Sequence, residues 1–216
     1  MADVVCLQGG AEFSPACADM DRAVLDLTGP GPVVVLPSAA APGREYATAG
    51  ANAVTYYTGL GADVAVAPDP REDLLGAVQA IRTAALVVLP GGSPGRLVEA
   101  LVQTVLGAAV AAAPAISGAS AGAMVLCATT VLPDVADHPL VPGCGIVPDA
   151  LVIPHFAGAL RWIEPGREGP RLILGLPECS GVIITDGKFT AVGTRPTTVF
   201  DDGVKRVVPV GESWQP

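Results

Sequence analysis

Five short apolar runs constrain this chain most: residues 3–7, 33–37, 62–67, 85–89 and 114–117. A strand that is apolar along its whole length has no solvent face, so both of its faces must be covered. Between the runs lie stretches whose apolar residues recur at helical spacing, at 14–28, 43–59, 71–82 and 94–109. Strands alternating with helices predict a parallel sheet with helices packed on each side. Past residue 128 the pattern changes. Residues 130–150 are rich in Pro and Asp and read as a long surface loop, and 151–154 reads as a short strand. Residues 158–175 form a Gly/Pro-interrupted segment. Residues 181–209 read as short antiparallel strands with tight turns at Asp186-Gly187 and Asp202-Gly203. The fold class expected is α/β, three-layer: a mostly parallel sheet flanked by helices, with a C-terminal antiparallel extension. No internal repeat, linker or second core is visible, so residues 1–216 are expected to form a single domain.

Composition narrows the function classes. Hydrophobic residues make up 50% of the chain and charged residues 15%, which argues for a large buried core and against disorder. The formal net charge is −9 with no basic cluster, so neither nucleic acid nor an anionic membrane is an expected partner. The start carries no basic segment followed by an apolar one, and the apolar stretch 101–116 is broken by Gln103, Thr104, Gly107 and Pro114. No signal peptide and no membrane span are expected from these features. The five cysteines are odd in number and show no C-x-x-C spacing. Free, mostly buried thiols in a reducing cytoplasm are therefore expected, with no metal and no cofactor.

The stretch from Ile116 to Met124 contains Gly118-Ala119-Ser120-Ala121-Gly122, a Gly-x-Ser-x-Gly motif between an apolar run and a helix-compatible one. That is the setting of a nucleophile elbow: strand, sharp turn, helix. The same residues also suit a tightly packed strand–helix joint with no catalytic purpose. A serine hydroxyl needs a base, and the base needs an orienting group. The chain has two histidines. His138 lies in a polar loop, whereas His155 closes an apolar strand, where a side chain can point into a site or simply satisfy a backbone carbonyl. Glu178, in a turn bounded by Gly175, Pro177 and the next strand, leads as the third member, with Asp134, Asp137 and Asp149 as alternatives. Gly91 and Gly92, after the fourth apolar run, offer amides that could join the Ala121 amide in an oxyanion hole, or form a plain turn. The turns at Gly9-Gly10, Gly91-Gly92 and Gly118–Gly122 all follow strands. In an open parallel sheet they lie on the edge where ligands bind.

Taken together, Gln8-Gly9-Gly10, Leu89-Pro90-Gly91-Gly92, the Ser120 elbow, Pro154-His155-Phe156 and Gly175-Leu176-Pro177-Glu178 resemble the dipeptidase E and cyanophycinase family of serine peptidases. The resemblance runs in order from about residue 3 to residue 193. It implies the glutamine amidotransferase-like fold, Ser120 as nucleophile, His155 as base, Glu178 as orienting acid, and the Gly92 and Ala121 amides around an oxyanion. It also implies a small peptide substrate containing an aspartyl group, which calls for a cation near the nucleophile. Arg161, Arg167 and Arg171 are the candidates, with Gly10 beside them as a substrate-facing turn residue. The chain departs from the cyanophycinase pattern in having Ser93-Pro94 after the glycine pair and Ile153-Pro154 before the histidine. An esterase-type hydrolase and a non-catalytic binding protein on the same scaffold are the competing readings, and a homodimer is left open.

Overall fold

The computed structural model describes residues 2–163 and 169–216. Its strands are β1 (Val4–Gln8), β2 (Val33–Val35), β3 (Val64–Val66), β4 (Leu86–Leu89), β5 (Ala115–Ala119), β6 (Thr129–Val131), β7 (Leu140–Pro142), β8 (Ala150–Ile153), β9 (Leu172–Gly175), β10 (Ser180–Thr185), β11 (Lys188–Gly193), β12 (Thr197–Asp201), β13 (Val204–Val208) and β14 (Ser213–Trp214). Its helices are α1 (Ala18–Leu27), α2 (Arg44–Gly59), α3 (Leu74–Arg82), α4 (Pro94–Leu101), α5 (Val105–Ala111) and α6 (Ala121–Leu126).

The main sheet has eight strands in the order β14-β11-β10-β1-β5-β4-β2-β3. Strands β1, β5, β4, β2 and β3 are mutually parallel, and β10, β11 and β14 extend the sheet antiparallel beyond β1. This is the mixed α/β architecture expected. Burial on both faces explains the apolar runs of β1, β2, β4 and β5, whereas β3, at the edge of the sheet, is partly exposed, against the expectation. Val5, Leu7, Val87, Leu89 and Ile116 pack with Ile81 of α3 and Leu97 of α4 on one side. Val4, Cys6, Val33, Val35 and Val88 pack with Val24 of α1 and Tyr57 of α2 on the other. Alternate residues of one strand thus serve two cores, as the twofold side-chain period requires.

Three further expectations are corrected. The stretch 94–109 is not one helix. It breaks between α4 and α5, where Gln103 adopts a left-handed backbone (φ 58°) and the Thr104 hydroxyl caps α5 by accepting from the Gly107 amide at 3.0 Å. The region 130–150 is not all loop, because β6 and β7 pair within it as an antiparallel hairpin. The C-terminal strands do not all extend the main sheet. Strands β12 and β13 join β9 and β8 in a separate four-stranded sheet, ordered β13-β12-β9-β8. The two expected hairpin turns are present. Asp186-Gly187 and Asp202-Gly203 both have positive φ at each residue, the requirement of a type I′ turn. The second sheet matters for function, because β8 ends two residues before His155. Among the described residues no helix is long and apolar enough to cross a membrane.

Candidate active site

Strands β1, β5 and β4 are neighbours in the sheet, so the three glycine turns that follow them share its C-terminal edge. Ser120 stands at the end of β5 with φ 49° and ψ −111°, and α6 begins at the next residue. A non-glycine residue held in that region is strained, and such strain concentrates at functional turns. The strain is retained because the elbow is clamped. The Ser120 amide donates to the Gln8 carbonyl at 2.9 Å, and the Met124 amide donates to the Ser120 carbonyl at 3.0 Å. A side chain at Gly122 would collide with the Leu89 carbonyl, and one at Gly118 would lie 2.6 Å from the Gly122 carbonyl carbon. The small residues around Ser120 are thus a steric condition of the elbow.

His155 arrives from the second sheet. Its amide donates to the Gly9 carbonyl at 2.8 Å, which ties the end of β8 to the turn after β1. Its own φ of 49° turns the imidazole toward the elbow. The Ser120 Oγ lies 3.0 Å from His155 Nε2, and His155 Nδ1 lies 3.1 Å from Glu178 Oε1. Glu178 is placed by the turn between β9 and β10, where the Cys179 amide donates to the Gly10 carbonyl at 3.0 Å. The side chains of His155 and Glu178 are 41% and 58% exposed. A polar contact that open adds little to stability, roughly 0–1 kcal/mol, so what it does is orient the imidazole. Asp149 accepts from the Arg171 amide at 3.1 Å instead of approaching the histidine. Asp134 and Asp137 lie in the exposed β6–β7 turn.

Gly10 packs directly against the histidine. A Cβ on it would stand 2.3 Å from His155 Cε1, and its φ is 120°. The imidazole lies against bare backbone there, so Gly10 makes room for the histidine. Gly91 is also occupied. Its amide donates to Glu12 Oε1 at 2.8 Å. Among the described residues, the amides of Gly92 and Ala121 donate to no other protein group. Two of the three expected oxyanion donors are therefore open, and the third carries a carboxylate. Neither composition nor spacing singled out Glu12; its one sequence signal was its place in the glycine turn after β1.

Among the described residues, Arg161 and Arg171 are not placed at the elbow. Arg171 precedes β9, at the end opposite to the one facing Phe156 and the histidine. It is held by Asp201 at 2.9 Å and Asp202 at 3.9 Å. Arg161 is exposed in the segment after His155. Arg167 lies outside the described residues. All five cysteines are free thiols. Cys17 and Cys179 both contact the Ser14 Oγ, at 3.4 and 3.3 Å. Among the described residues no group of three or more His, Cys, Asp or Glu side chains is placed to hold a metal ion.

Beneath the site lies a second polar cluster. The Gln8 amide nitrogen donates to Asp21 Oδ1 at 2.7 Å and to Ser117 Oγ at 3.0 Å. The hydroxyls of Tyr56 and Tyr57 donate to the same carboxylate at 2.7 and 3.2 Å. Asp21 is 1% exposed. Burial raises its carboxyl above the ordinary value of 3.8, against the lowering effect of these hydrogen bonds.

The chain matches no protein-family model and no curated protein. Its fold does match solved structures. A peptidase from an acI-B1 Actinobacterium superposes with a TM-score of 0.86 at 23% identity, over 100% of this chain and 98% of that one. A candidate peptidase E from Listeria monocytogenes EGD-e superposes with a TM-score of 0.65 at 14% identity, over 90% of this chain and 100% of that one. The chain has the fold of these two peptidase structures, the fold that the sequence resemblance implied.

Proposed function

We propose that the protein is a serine peptidase of short peptides. The observation that carries this reading is the run of contacts from Ser120 Oγ through the His155 ring to Glu178, at 3.0 and 3.1 Å, on a strained elbow. The peptidase structures that share the fold support it. In the tautomer that suits an ionised Glu178, the His155 Nδ1–H donates to the carboxylate and Nε2 accepts the Ser120 hydroxyl proton. Ser120 Oγ attacks the scissile carbonyl as its proton passes to Nε2. The oxyanion that forms is met by the amides of Ala121 and Gly92. His155 then gives its proton to the leaving amine, and water hydrolyses the acyl-enzyme with His155 again as base. Each oxyanion donor of this kind is worth roughly 3 kcal/mol in the transition state.

The order Ser120, His155, Glu178 along the chain differs from the Ser, acid, His order of α/β-hydrolase esterases, so the peptidase reading takes precedence. Aspartyl dipeptides are the first substrates to test, since the resemblance points to them and Arg161 offers an exposed cation beyond His155. The decisive experiment pairs fluorophosphonate labelling with digestion of Asp-X, β-Asp-X and X-Asp dipeptides. Labelling confined to Ser120, with turnover lost in Ser120→Ala, is expected. A protein that neither labels at Ser120 nor cleaves any dipeptide would be a binding protein on this scaffold.

A further inference from the structure

Glu12 has no part in the proposed proton relay, yet its carboxylate sits on the amide of Gly91, the neighbour along the chain of the proposed oxyanion donor Gly92. Its Oε1 accepts the Gly91 amide at 2.8 Å. A methyl group placed on Gly91 would touch both Glu12 Oε1, at 2.8 Å, and Ser120 Cβ, at 3.2 Å. The Glu12 carboxylate and the Ser120 β-carbon thus both border Gly91. Glu12 is also held in place. Ala11 and Phe13 on either side have φ of 56° and 62°. The Ala11 carbonyl accepts from the Cys17 thiol at 3.2 Å, and the Phe13 ring packs on Tyr56 and Tyr57 at 5.6 and 6.0 Å between centroids. Two strained residues so anchored give the carboxylate between them a defined direction. Among the described residues no cation pairs with it. On its outer side it lines an open recess of about 470 Å³ with Phe13, Asn52, Thr55 and Tyr56, none of them charged.

A negative charge beside a developing oxyanion opposes the reaction. It ceases to do so when the substrate itself brings a positive charge to that carboxylate, because the pair then presents no net field to the oxyanion. Resting on the serine peptidase reading, we propose that Glu12 is a specificity-determining residue that admits peptides bearing an ammonium group on the acyl side of the scissile bond. The recess accepts the ammonium-bearing residue, and the carboxylate holds its charge by a charge-assisted hydrogen bond. The ammonium is supplied either by an unblocked peptide N-terminus or by a lysine-like side chain at the same position. The two sources share this chemistry and separate in the test.

The probes are diphenyl phosphonate esters, which phosphonylate an active serine with loss of phenoxide. Four are compared on the parent protein and on Glu12→Gln: the α-aminoethyl phosphonate with a free amine, its N-acetyl derivative, the N-acetyl lysine analogue, and the N-acetyl aspartate analogue. Ser120 labelling is followed by mass spectrometry. On the parent, at least one of the two cationic probes is expected to label about tenfold or more faster than the N-acetyl alanine analogue. Glu12→Gln is expected to bring the rates together, by slowing the cationic probes and speeding the neutral and acidic ones. The first two probes against the third tell a terminal from a side-chain ammonium. A variant that slows all four probes equally, or a parent indifferent to probe charge, overturns the role of Glu12 while leaving Ser120 as the nucleophile. Absence of labelling by every probe, and by a fluorophosphonate as well, overturns the peptidase reading and the role of Glu12 with it.

Discussion

Two carboxylate clusters grow from the end of β1, and they use hydrogen bonds in opposite ways. In the lower one, Asp21 is buried and accepts from Gln8, Tyr56 and Tyr57, with the Gln8 amide also reaching Ser117. In the upper one, Glu178 is exposed and, among the described residues, its side chain bonds to His155 alone, which in turn meets Ser120. A buried carboxylate with every donor committed locks a geometry, and removing it strands its partners. An open carboxylate with one partner contributes little to stability and leaves the histidine free to exchange protons with solvent. Gln8 belongs to both levels, because its side chain completes the lower cluster while its carbonyl holds the Ser120 amide. The two clusters thus meet at one residue.

Several changes would break or sharpen this contrast. Ser120→Ala should lower kcat for any cleaved peptide by about 10⁴–10⁶-fold while leaving the melting temperature within a degree or two, measured by steady-state kinetics and calorimetry side by side. Glu178→Gln should cost about 10²–10⁴-fold in kcat, through loss of the oriented tautomer, again with little change in stability. If its effect on denaturant midpoint exceeds its effect on kcat, the upper cluster is structural and the contrast fails. Asp21→Ala should do the reverse. It removes the acceptor of the buried Tyr57 hydroxyl, of the half-buried Tyr56 hydroxyl and of one Gln8 amide hydrogen, and should lower unfolding free energy by about 3 kcal/mol, with kcat per folded molecule nearly unchanged. The smallest effect is on pH dependence. Because burial raises the folded-state pKa of Asp21, the folded protein holds a proton that the unfolded chain releases. Its contribution to stability is therefore complete below the ordinary value of 3.8 and is lost as pH rises through the raised one. The decline is at most about 1.4 kcal/mol per pH unit. Urea titrations over that range should show it in the parent and not in Asp21→Ala. Parallel curves for the two proteins would show that Asp21 titrates as an ordinary carboxylate.

The apolar runs, the elbow glycines and the two Asp-Gly hairpin turns were legible in the chain because each answers to a local rule: burial on both faces, close approach, or positive φ. The break after α4 was not, because its cause is a single left-handed residue, Gln103, followed by a threonine cap. The separation of β12 and β13 from the main sheet was hidden as well. Each strand carries the same alternation whichever partner it takes, so pairing is decided by which edge is free.

For the candidate site, the sequence by itself determined the kinds of group available: one serine on an elbow, two histidines, and several turn carboxylates. Only the tertiary structure decided among them. It placed His155 against Ser120 by pinning the end of a second sheet to the Gly9 carbonyl. It kept Asp149 away by using it on the Arg171 amide, tied Arg171 to Asp201, and gave the Gly91 amide to Glu12. Secondary structure follows from neighbours along the chain and can be read there. A hydrogen bond between residues 35 or 79 positions apart follows from how whole elements pack, and no local pattern encodes it.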